Sequence, residues 1–95
     1  MSNYRISRQA KLDLQRIYQY GFDQFGEEQA DRYFWGFFEC FEKIAEQPEH
    51  YPTVDYIRIG YRRCVFKADT IYFRVLSSQV EIMAIIGGQD VDEWL

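Results

Sequence analysis

Two prolines, Pro48 and Pro52, divide the chain into two parts with different hydrophobic patterns. Proline lacks a backbone N–H and clashes with the preceding helical turn, so a helix cannot run through both positions. Before the prolines, apolar residues recur every three or four positions, as in helices; after them, apolar residues form short runs, as in strands. The segment 48–53 is therefore predicted to connect a helical part to a sheet.

The helical part is predicted to form a hairpin that turns at Gly26. Ser7 is the expected N-cap of the first helix because its hydroxyl can accept a hydrogen bond from a free first-turn amide. Gly26 permits the backbone of a tight stop, and the acidic Glu27 and Glu28 suit the positive end of a second helix dipole. The second helix is predicted to run to about Gln47. The first helix carries an apolar stripe of Ala10, Leu14, Ile17, Gly21 and Phe25, with Tyr18 and Phe22 beside it.

The second helix has a wider apolar face than one neighbouring helix can cover. It must therefore also pack on a sheet. Its apolar positions are Ala30, Tyr33, Phe34, Phe37, Phe38, Phe41, Ile44 and Ala45.

The part after the prolines predicts an antiparallel meander of three strands, at about 56–67, 70–76 and 80–86. The short run 3–7 at the start of the chain is expected to be an edge or pairing strand. The predicted fold class is thus α+β, a helical hairpin packed on a small antiparallel sheet, in one domain spanning 1–95.

Both faces of the last two strands are largely apolar, although the helices can cover only one face. Two arrangements are therefore open for Tyr72, Met83 or Ile85. They belong to an exposed apolar surface, which often marks a partner site, or tails and loops fold over them.

Composition narrows the classes of function. The net charge is −4 and the calculated isoelectric point is near 4.9, which argues against nucleic-acid binding through a broad basic surface. A protein partner is the better expectation. The sequence has no leader pattern and no long apolar run, so a cytoplasmic protein without a membrane segment is expected. Cys40 and Cys64 lack metal-ligand spacing and are expected to be buried, reduced thiols.

Positive charge is concentrated between positions 58 and 67, which hold four of the eleven basic side chains. Because side chains alternate along a strand, Arg58 and Arg62 are predicted to share one face, and Arg63 and Lys67 the other. Gly60 between them is expected to mark a bulge or a close backbone approach that could reverse the alternation.

Short motifs along nearly the whole chain resemble the RelE/ParE superfamily of bacterial toxin–antitoxin toxins, and the ParE branch more closely. Their order and spacing carry the resemblance. They are Tyr4-x-Ile6-Ser7 before Ala10; Asp13-Leu14 with Ile17 and Tyr20; Phe25-Gly26-x-x-Gln29-Ala30 with Tyr33; Phe41, Ile44-Ala45 and Pro48; Ile57-Arg58-x-Gly60-x-Arg62-Arg63; Ile71-Tyr72-Phe73-Arg74; and Val80-Glu81-Ile82 with Ile85-Ile86.

The resemblance implies a toxin that acts on DNA gyrase, blocks replication and is held inactive by a ParD-like antitoxin, with operator DNA bound only through the antitoxin. A homodimer and a hetero-oligomer with the antitoxin both stay open. Two alternatives also stay open: a RelE-like ribosome-dependent messenger RNA endonuclease, and a binding module of the same fold that has lost toxicity.

The end of the chain departs from the family pattern. Family members commonly carry a His or another polar residue after the final strand, whereas Gly87-Gly88-Gln89-Asp90 follows it here. RNA cleavage needs groups that take and return protons, and the lone His50 in a loop is a poor candidate. No catalytic residue, cofactor or metal site is predicted.

The residues predicted to contact an antitoxin or a target are Arg58, Arg62, Arg63, Lys67, Tyr72, Met83 and Trp94. The arginines can pair with carboxylates on a protein partner. Pairing within the chain, with Asp55, Asp69 or Glu81, is the alternative. Trp35 is expected to pack at the hairpin edge or to contact a partner. The acidic tail 87–95 is expected to serve function more than stability, with Trp94 as its anchor.

Overall fold

The computed structural model describes residues 3–87. These form strand β1 (Tyr4–Ile6), helix α1 (Arg8–Phe25), helix α2 (Glu27–Glu46), a 3-10 turn (Pro48–His50) and strands β2 (Arg62–Phe66), β3 (Asp69–Leu76) and β4 (Gln79–Ile86). Neither helix within residues 3–87 is long and apolar enough to cross a membrane.

The helical hairpin has the predicted boundaries. The Ser7 hydroxyl accepts a 3.0 Å hydrogen bond from the N–H of Ala10, which confirms the N-cap. Gly26 ends α1 with a φ of +92°, a left-handed conformation that favours glycine. Glu27 and Glu28 occupy the first turn of α2, where the helix dipole stabilises negative charge.

The strands form one sheet in the order β1-β4-β3-β2. Strands β2, β3 and β4 make the predicted antiparallel meander, but β1 runs parallel to β4. The α+β architecture is confirmed, and the sheet is mixed rather than wholly antiparallel. A parallel pair needs a long crossover connection, and the hairpin supplies part of it.

The helices cover one face of the sheet and form the main core there. Phe37, Phe41, Ile44, Ile71, Phe73, Ile82 and Ile85 are fully buried in it. The predicted α1 stripe holds for Ala10, Leu14 and Ile17 but is wrong at Phe25, which is 59% exposed. The hairpin end that carries Phe25 lies beyond the helix positions that face the sheet, so periodicity alone overestimated its burial.

The loop between the 3-10 turn and β2 covers the opposite face of the sheet. Val54 and Tyr61 are buried there against Tyr72, Ala84 and Ile86, with Ile57 and Met83 at the margin. Of the two alternatives for this face, coverage by a loop is the one observed, and exposure of Tyr72 was wrong.

The strand predicted from Tyr56 is also wrong, because residues 55–60 form turns. The carboxylate of Asp55 accepts a 2.8 Å hydrogen bond from the N–H of Gly60, which closes this segment on itself. Gly60 adopts a φ of +87°, a turn conformation rather than a strand bulge. Strand β2 therefore begins only at Arg62.

The bulge of the sheet lies in β4 instead. Tyr72 pairs with Ala84 and Phe73 pairs with Ile82, so Met83 is the extra residue on its strand. The bulge reverses the alternation of side chains along β4, so Val80 and Ile82 share the main core with Ile85. The expectation that Ile85 faces the other side is wrong for this reason.

Candidate partner-binding surface

Arg62 and Arg63 are neighbours on β2 and point to opposite faces of the sheet. Arg62 shares the helix-covered face with Cys64 and Phe66, and its Nη1 donates a 2.6 Å hydrogen bond to the backbone carbonyl of Tyr51. Arg63 lies directly opposite Tyr72, on the face covered by the loop, and is exposed. Arg62 is thus partly engaged within the chain, whereas the guanidinium of Arg63 faces solvent.

Arg58 and Lys67 do not lie on a strand. The guanidinium carbon of Arg58 lies 5.7 Å from the ring centroid of Tyr61, within the range of a cation–π contact. Lys67 occupies the turn between β2 and β3 with a φ of +54°, and its ammonium lies 5.8 Å from the ring centroid of Phe66. The predicted pairs, Arg58 with Arg62 and Arg63 with Lys67, are therefore wrong, because residues 58 and 67 both lie in turns.

The three carboxylates considered as internal partners are occupied by other groups. Asp55 accepts from the N–H of Gly60, Asp69 accepts a 2.6 Å hydrogen bond from the hydroxyl of Tyr33, and Glu81 pairs with Arg74 at 3.0 Å. Within residues 3–87, no carboxylate forms an ion pair with Arg58, Arg62 or Arg63. No carboxylate of the described residues therefore neutralises these three charges.

Tyr72 and Met83 differ from the exposed apolar residues that the sequence predicted. Tyr72 is 3% exposed, and burial raises the pKa of its hydroxyl while the nearby charge of Arg63 lowers it. Met83 is half-buried at the edge of the same cluster. Trp94 lies outside the described residues.

Three exposed apolar side chains lie on the same loop as Arg58 or on the same face of β2 as Arg63. Ile59 is 87% exposed, Tyr56 is 76% exposed and Val65 is 64% exposed. Together with Arg58 and Arg63 they form what we call the loop-side surface. Sequence reasoning missed Tyr56, Ile59 and Val65 because it placed the whole segment in a strand; the Asp55 and Gly60 spacing was the available signal of a turn.

The outer edge of β2 adjoins this surface. The N–H of Arg63 donates outward to the carbonyl of Pro52 at 3.1 Å, and Thr53 forms an isolated bridge with Arg62. In an antiparallel pair, alternate residues direct their backbone groups away from the partner strand, so Val65 also directs its N–H outward. Beyond Arg63, no strand among the described residues pairs with this edge.

A second apolar surface lies on the helical hairpin. Five aromatic rings contact one another in a row, with neighbouring centroids 5.2–6.3 Å apart. This hairpin aromatic row consists of Phe22, Tyr18, Phe34, Trp35 and Phe38. Trp35 is 61% exposed and Phe22 is 43% exposed. Trp35 packs on Phe34 and Phe38, as one of its two expectations held, and contact with a partner stays a prediction for its exposed part.

His50 ends the 3-10 turn and is exposed. Among the described residues, its side chain makes no hydrogen bond within the chain. That part of the chain also contains no cluster of three or more His, Cys, Asp or Glu residues that could hold a metal ion.

Cys40 on α2 and Cys64 on β2 are free thiols, and both are half-buried rather than buried. Each thiol changes the pKa of the other, so the two lie close together, and the Cys64 S–H donates to the backbone carbonyl of Val65 at 3.9 Å. Sequence reasoning treated them separately because their contact depends on how helix and strand are packed.

Comparisons with known proteins agree with this architecture. The model of the ParE toxin of type II toxin-antitoxin systems, parDE, matches residues 4–91. Toxin ParE1 of Caulobacter vibrioides is 37% identical over 86 residues, covering 90% of this chain and 88% of the relative. Toxin ParE1 of Mycobacterium tuberculosis H37Rv is 30% identical over 74 residues, covering 78% of this chain and 76% of that relative.

A solved structure, described as the chromosomal ParDE TA system from P. aeruginosa, has the same fold. It superposes with a TM-score of 0.81 and 20% sequence identity, covering 92% of this chain and 96% of the matched chain. The family model matches most of the chain, and the chain is 37% identical to one of the curated toxins, so the similarity is one of sequence as well as of fold. The chain belongs to the ParE toxin family of type II toxin–antitoxin systems.

Proposed function

We propose that this protein inhibits DNA gyrase and that a ParD-like antitoxin neutralises it by binding the loop-side surface and the hairpin aromatic row. Family membership supports the toxin role, and a solved relative comes from a ParDE system. The observation that carries the partner assignment is that, within residues 3–87, Arg58 and Arg63 have no carboxylate partner and lie on a loop and a strand that also carry exposed apolar side chains.

The chemistry of the loop-side surface specifies the antitoxin segment. Arg58 and Arg63 can bind carboxylates of the antitoxin, because a guanidinium group can donate two parallel hydrogen bonds to one carboxylate. Tyr56, Ile59 and Val65 suit apolar side chains. The outward backbone groups of β2 suit an extended segment that adds a strand to the edge. The expected segment is thus extended and acidic, with apolar residues between its carboxylates.

The hairpin aromatic row suits a different part of the antitoxin. Helix α2 is acidic, with six acidic and two basic residues between positions 27 and 46. An amphipathic helix whose apolar face covers Trp35 and Phe22 and whose flanks carry Lys or Arg would match this surface. One antitoxin can bind both surfaces if its chain wraps around the toxin.

The gyrase assignment is tested in growing bacteria that express the protein without antitoxin, by whether DNA synthesis or protein synthesis stops first. Incorporation of labelled thymidine should fall before incorporation of labelled methionine. The reverse order, with cleaved messenger RNA, would favour the ribosome-dependent endonuclease. A folded protein that leaves growth unchanged would favour the non-toxic binding module.

His50→Ala provides the matched chemical test. The His50 side chain is exposed and makes no hydrogen bond within the described chain, so it is poorly placed to move protons in RNA cleavage. Growth arrest should persist in the folded His50→Ala protein. Loss of arrest would contradict the gyrase assignment and support a nuclease.

A further inference from the structure

Helix α2 and strand β2 approach each other closely at Gly36 and Phe66. A Cβ atom built on Gly36 would lie 2.6 Å from Cζ of the Phe66 ring, so only glycine leaves room for the ring in this position. The ring also contacts Tyr33 and Phe37, with centroid separations of 5.3 and 4.9 Å. This packing fixes the spacing of helix and strand.

The same packing aligns the two cysteines. Cys40 lies one turn after Gly36 on the same face of α2, and Cys64 lies two residues before Phe66 on the same face of β2. The four residues from Gly36 to Cys40 advance about 6 Å along the helix, and the two residues from Phe66 back to Cys64 cover about 6.6 Å of the strand. These two distances match when helix and strand run in opposite directions. Phe66 lies at Gly36 in the middle of α2, whereas Arg62 donates to the carbonyl of Tyr51, beyond the end of α2, so helix and strand run in opposite directions. Cys64 therefore lies over Cys40, and each thiol changes the pKa of the other.

We propose that Cys40 and Cys64 form an oxidisable thiol pair, a modification site at which a small-molecule disulfide reacts first with Cys40 and Cys64 then closes an internal disulfide. Both side chains are half-buried, so a small reagent can reach them, and they sit next to each other on two different elements. This assignment is independent of the toxin activity.

The reaction balances with glutathione disulfide as the oxidant. The Cys40 thiolate attacks one sulfur of glutathione disulfide, which forms a mixed disulfide on Cys40 and releases one glutathione thiolate. Cys64 then loses its proton and attacks the Cys40 sulfur, which releases a second glutathione thiolate. The two thiols of the protein are oxidised by two electrons, and glutathione disulfide is reduced to two glutathione molecules.

The surroundings favour Cys40 as the attacking thiol. The neighbouring Cys64 thiol and the positive charge of Lys43 lower the pKa of Cys40 to about 7, although partial burial and Glu39 oppose the shift. The neighbouring Cys40 thiol and burial raise the pKa of Cys64. The titratable groups around the pair are Glu39 and Lys43 on α2, Tyr33 on α2, and Tyr51 after the 3-10 turn.

The test uses the purified full chain, with glutathione disulfide as the probe at pH 7 and mass analysis of tryptic peptides. The wild-type protein should lose two hydrogens and yield one peptide pair cross-linked through Cys40 and Cys64. The Cys64→Ser protein should stop at one glutathionyl group on Cys40. The Cys40→Ser protein should form no internal disulfide, because Cys64 then has no second thiol on the neighbouring helix.

Several results would overturn the proposal. Wild-type protein that carries two glutathionyl groups, that links only between molecules or that does not react would show that the thiols do not act as a pair. The order in which limiting iodoacetamide labels the wild-type protein identifies the attacking thiol, whether or not either variant folds: Cys40 first supports the proposal, and Cys64 first or equal labelling contradicts it.

Discussion

The carboxylate of Asp13 in helix α1 accepts a 2.9 Å hydrogen bond from the backbone N–H of Ile85 in the last strand. Arg16, one turn further along α1, donates a 3.0 Å hydrogen bond to the carbonyl of the same Ile85. Strand β1 pairs with β4 only as far as Ile82. Beyond that point, the side chains of Asp13 and Arg16 take the place of β1 as hydrogen-bond partners for the backbone of β4. Helix α1 thereby fixes the end of the sheet.

Replacing Asp13 by Ala should destabilise the fold by about 1–3 kcal/mol, because the N–H of Ile85 would stay buried without a partner. Asp13 is 2% exposed, so water cannot easily take its place. Urea denaturation monitored by circular dichroism measures the loss. Asp23→Ala is the control, because Asp23 also accepts a hydrogen bond from a Gln four residues earlier but lies on an exposed surface. This replacement should change the free energy of unfolding by less than about 0.5 kcal/mol. Equal losses in the two variants would contradict this role of Asp13.

Gly36→Ala should destabilise the protein, although alanine is the better helix former. The added methyl group would lie 2.6 Å from the Phe66 ring, which Tyr33 and Phe37 hold in place. Overpacking costs about 1–3 kcal/mol, which exceeds the gain in helix propensity of about 1 kcal/mol. Gly21→Ala is the matched control, because its methyl group would meet Ala30 at an ordinary 3.6 Å and should stabilise the protein. Stabilisation by both variants, measured by thermal unfolding, would show that the Phe66 ring moves freely.

Tyr33→Phe should lower stability at neutral pH by about 1–2 kcal/mol, because Asp69 would lose the hydroxyl that donates to it at 2.6 Å. Burial and this hydrogen bond raise the pKa of Tyr33 above its usual value of 10.0. The folded protein therefore holds the phenol proton more tightly than the unfolded chain, so this contribution is complete below pH 10 and declines as the pH rises further.

Urea denaturation of wild type and Tyr33→Phe between pH 8 and pH 11 checks the sign. The variant should lose stability less steeply above pH 10, because it lacks a tyrosine whose pKa is higher in the folded protein than in the unfolded chain. Tyr20→Phe, at a tyrosine that is 63% exposed, should leave stability at neutral pH unchanged. A steeper alkaline loss in Tyr33→Phe would contradict the assignment.

Arg63→Glu should weaken binding of the antitoxin by about tenfold or more at low salt, and by less at high salt, because screening reduces attraction between exposed charges. Arg63 is a cleaner site than Arg62, whose guanidinium also holds the carbonyl of Tyr51. Isothermal titration of the protein encoded beside this gene as a candidate antitoxin measures the affinity. Arg8→Glu, an exposed reversal at the start of α1, serves as the charge control. Equal affinity for Arg63→Glu and wild type would remove Arg63 from the proposed surface.

The helices and the meander were predictable because they follow local rules. Ser7 and Gly26 mark the ends of α1 through side-chain capping and backbone freedom, and the periodicity of α2 identified its buried face. The loop over the second face was not predictable from β propensity, since Tyr56, Ile57 and Ile59 suit a strand as well as a turn. The Asp55–Gly60 hydrogen bond decides between these structures, but an Asp and a Gly five residues apart are a weaker signal than three residues of high β propensity.

The candidate surface was predicted in part for related reasons. The concentration of arginines was visible in the sequence, but their directions depended on where β2 begins. The bulge at Met83 changed which residues of β4 face the helices, and its position is set by pairing with β3. The contact between Cys40 and Cys64 depends on the close approach at Gly36, which periodicity does not reveal.

Supercoiling of relaxed plasmid by purified gyrase, measured with increasing amounts of this protein, tests the central claim most directly. The account predicts that supercoiling falls with protein concentration and recovers when the antitoxin is added in equal amount. Full supercoiling by gyrase in the presence of protein that arrests growth in cells would contradict it.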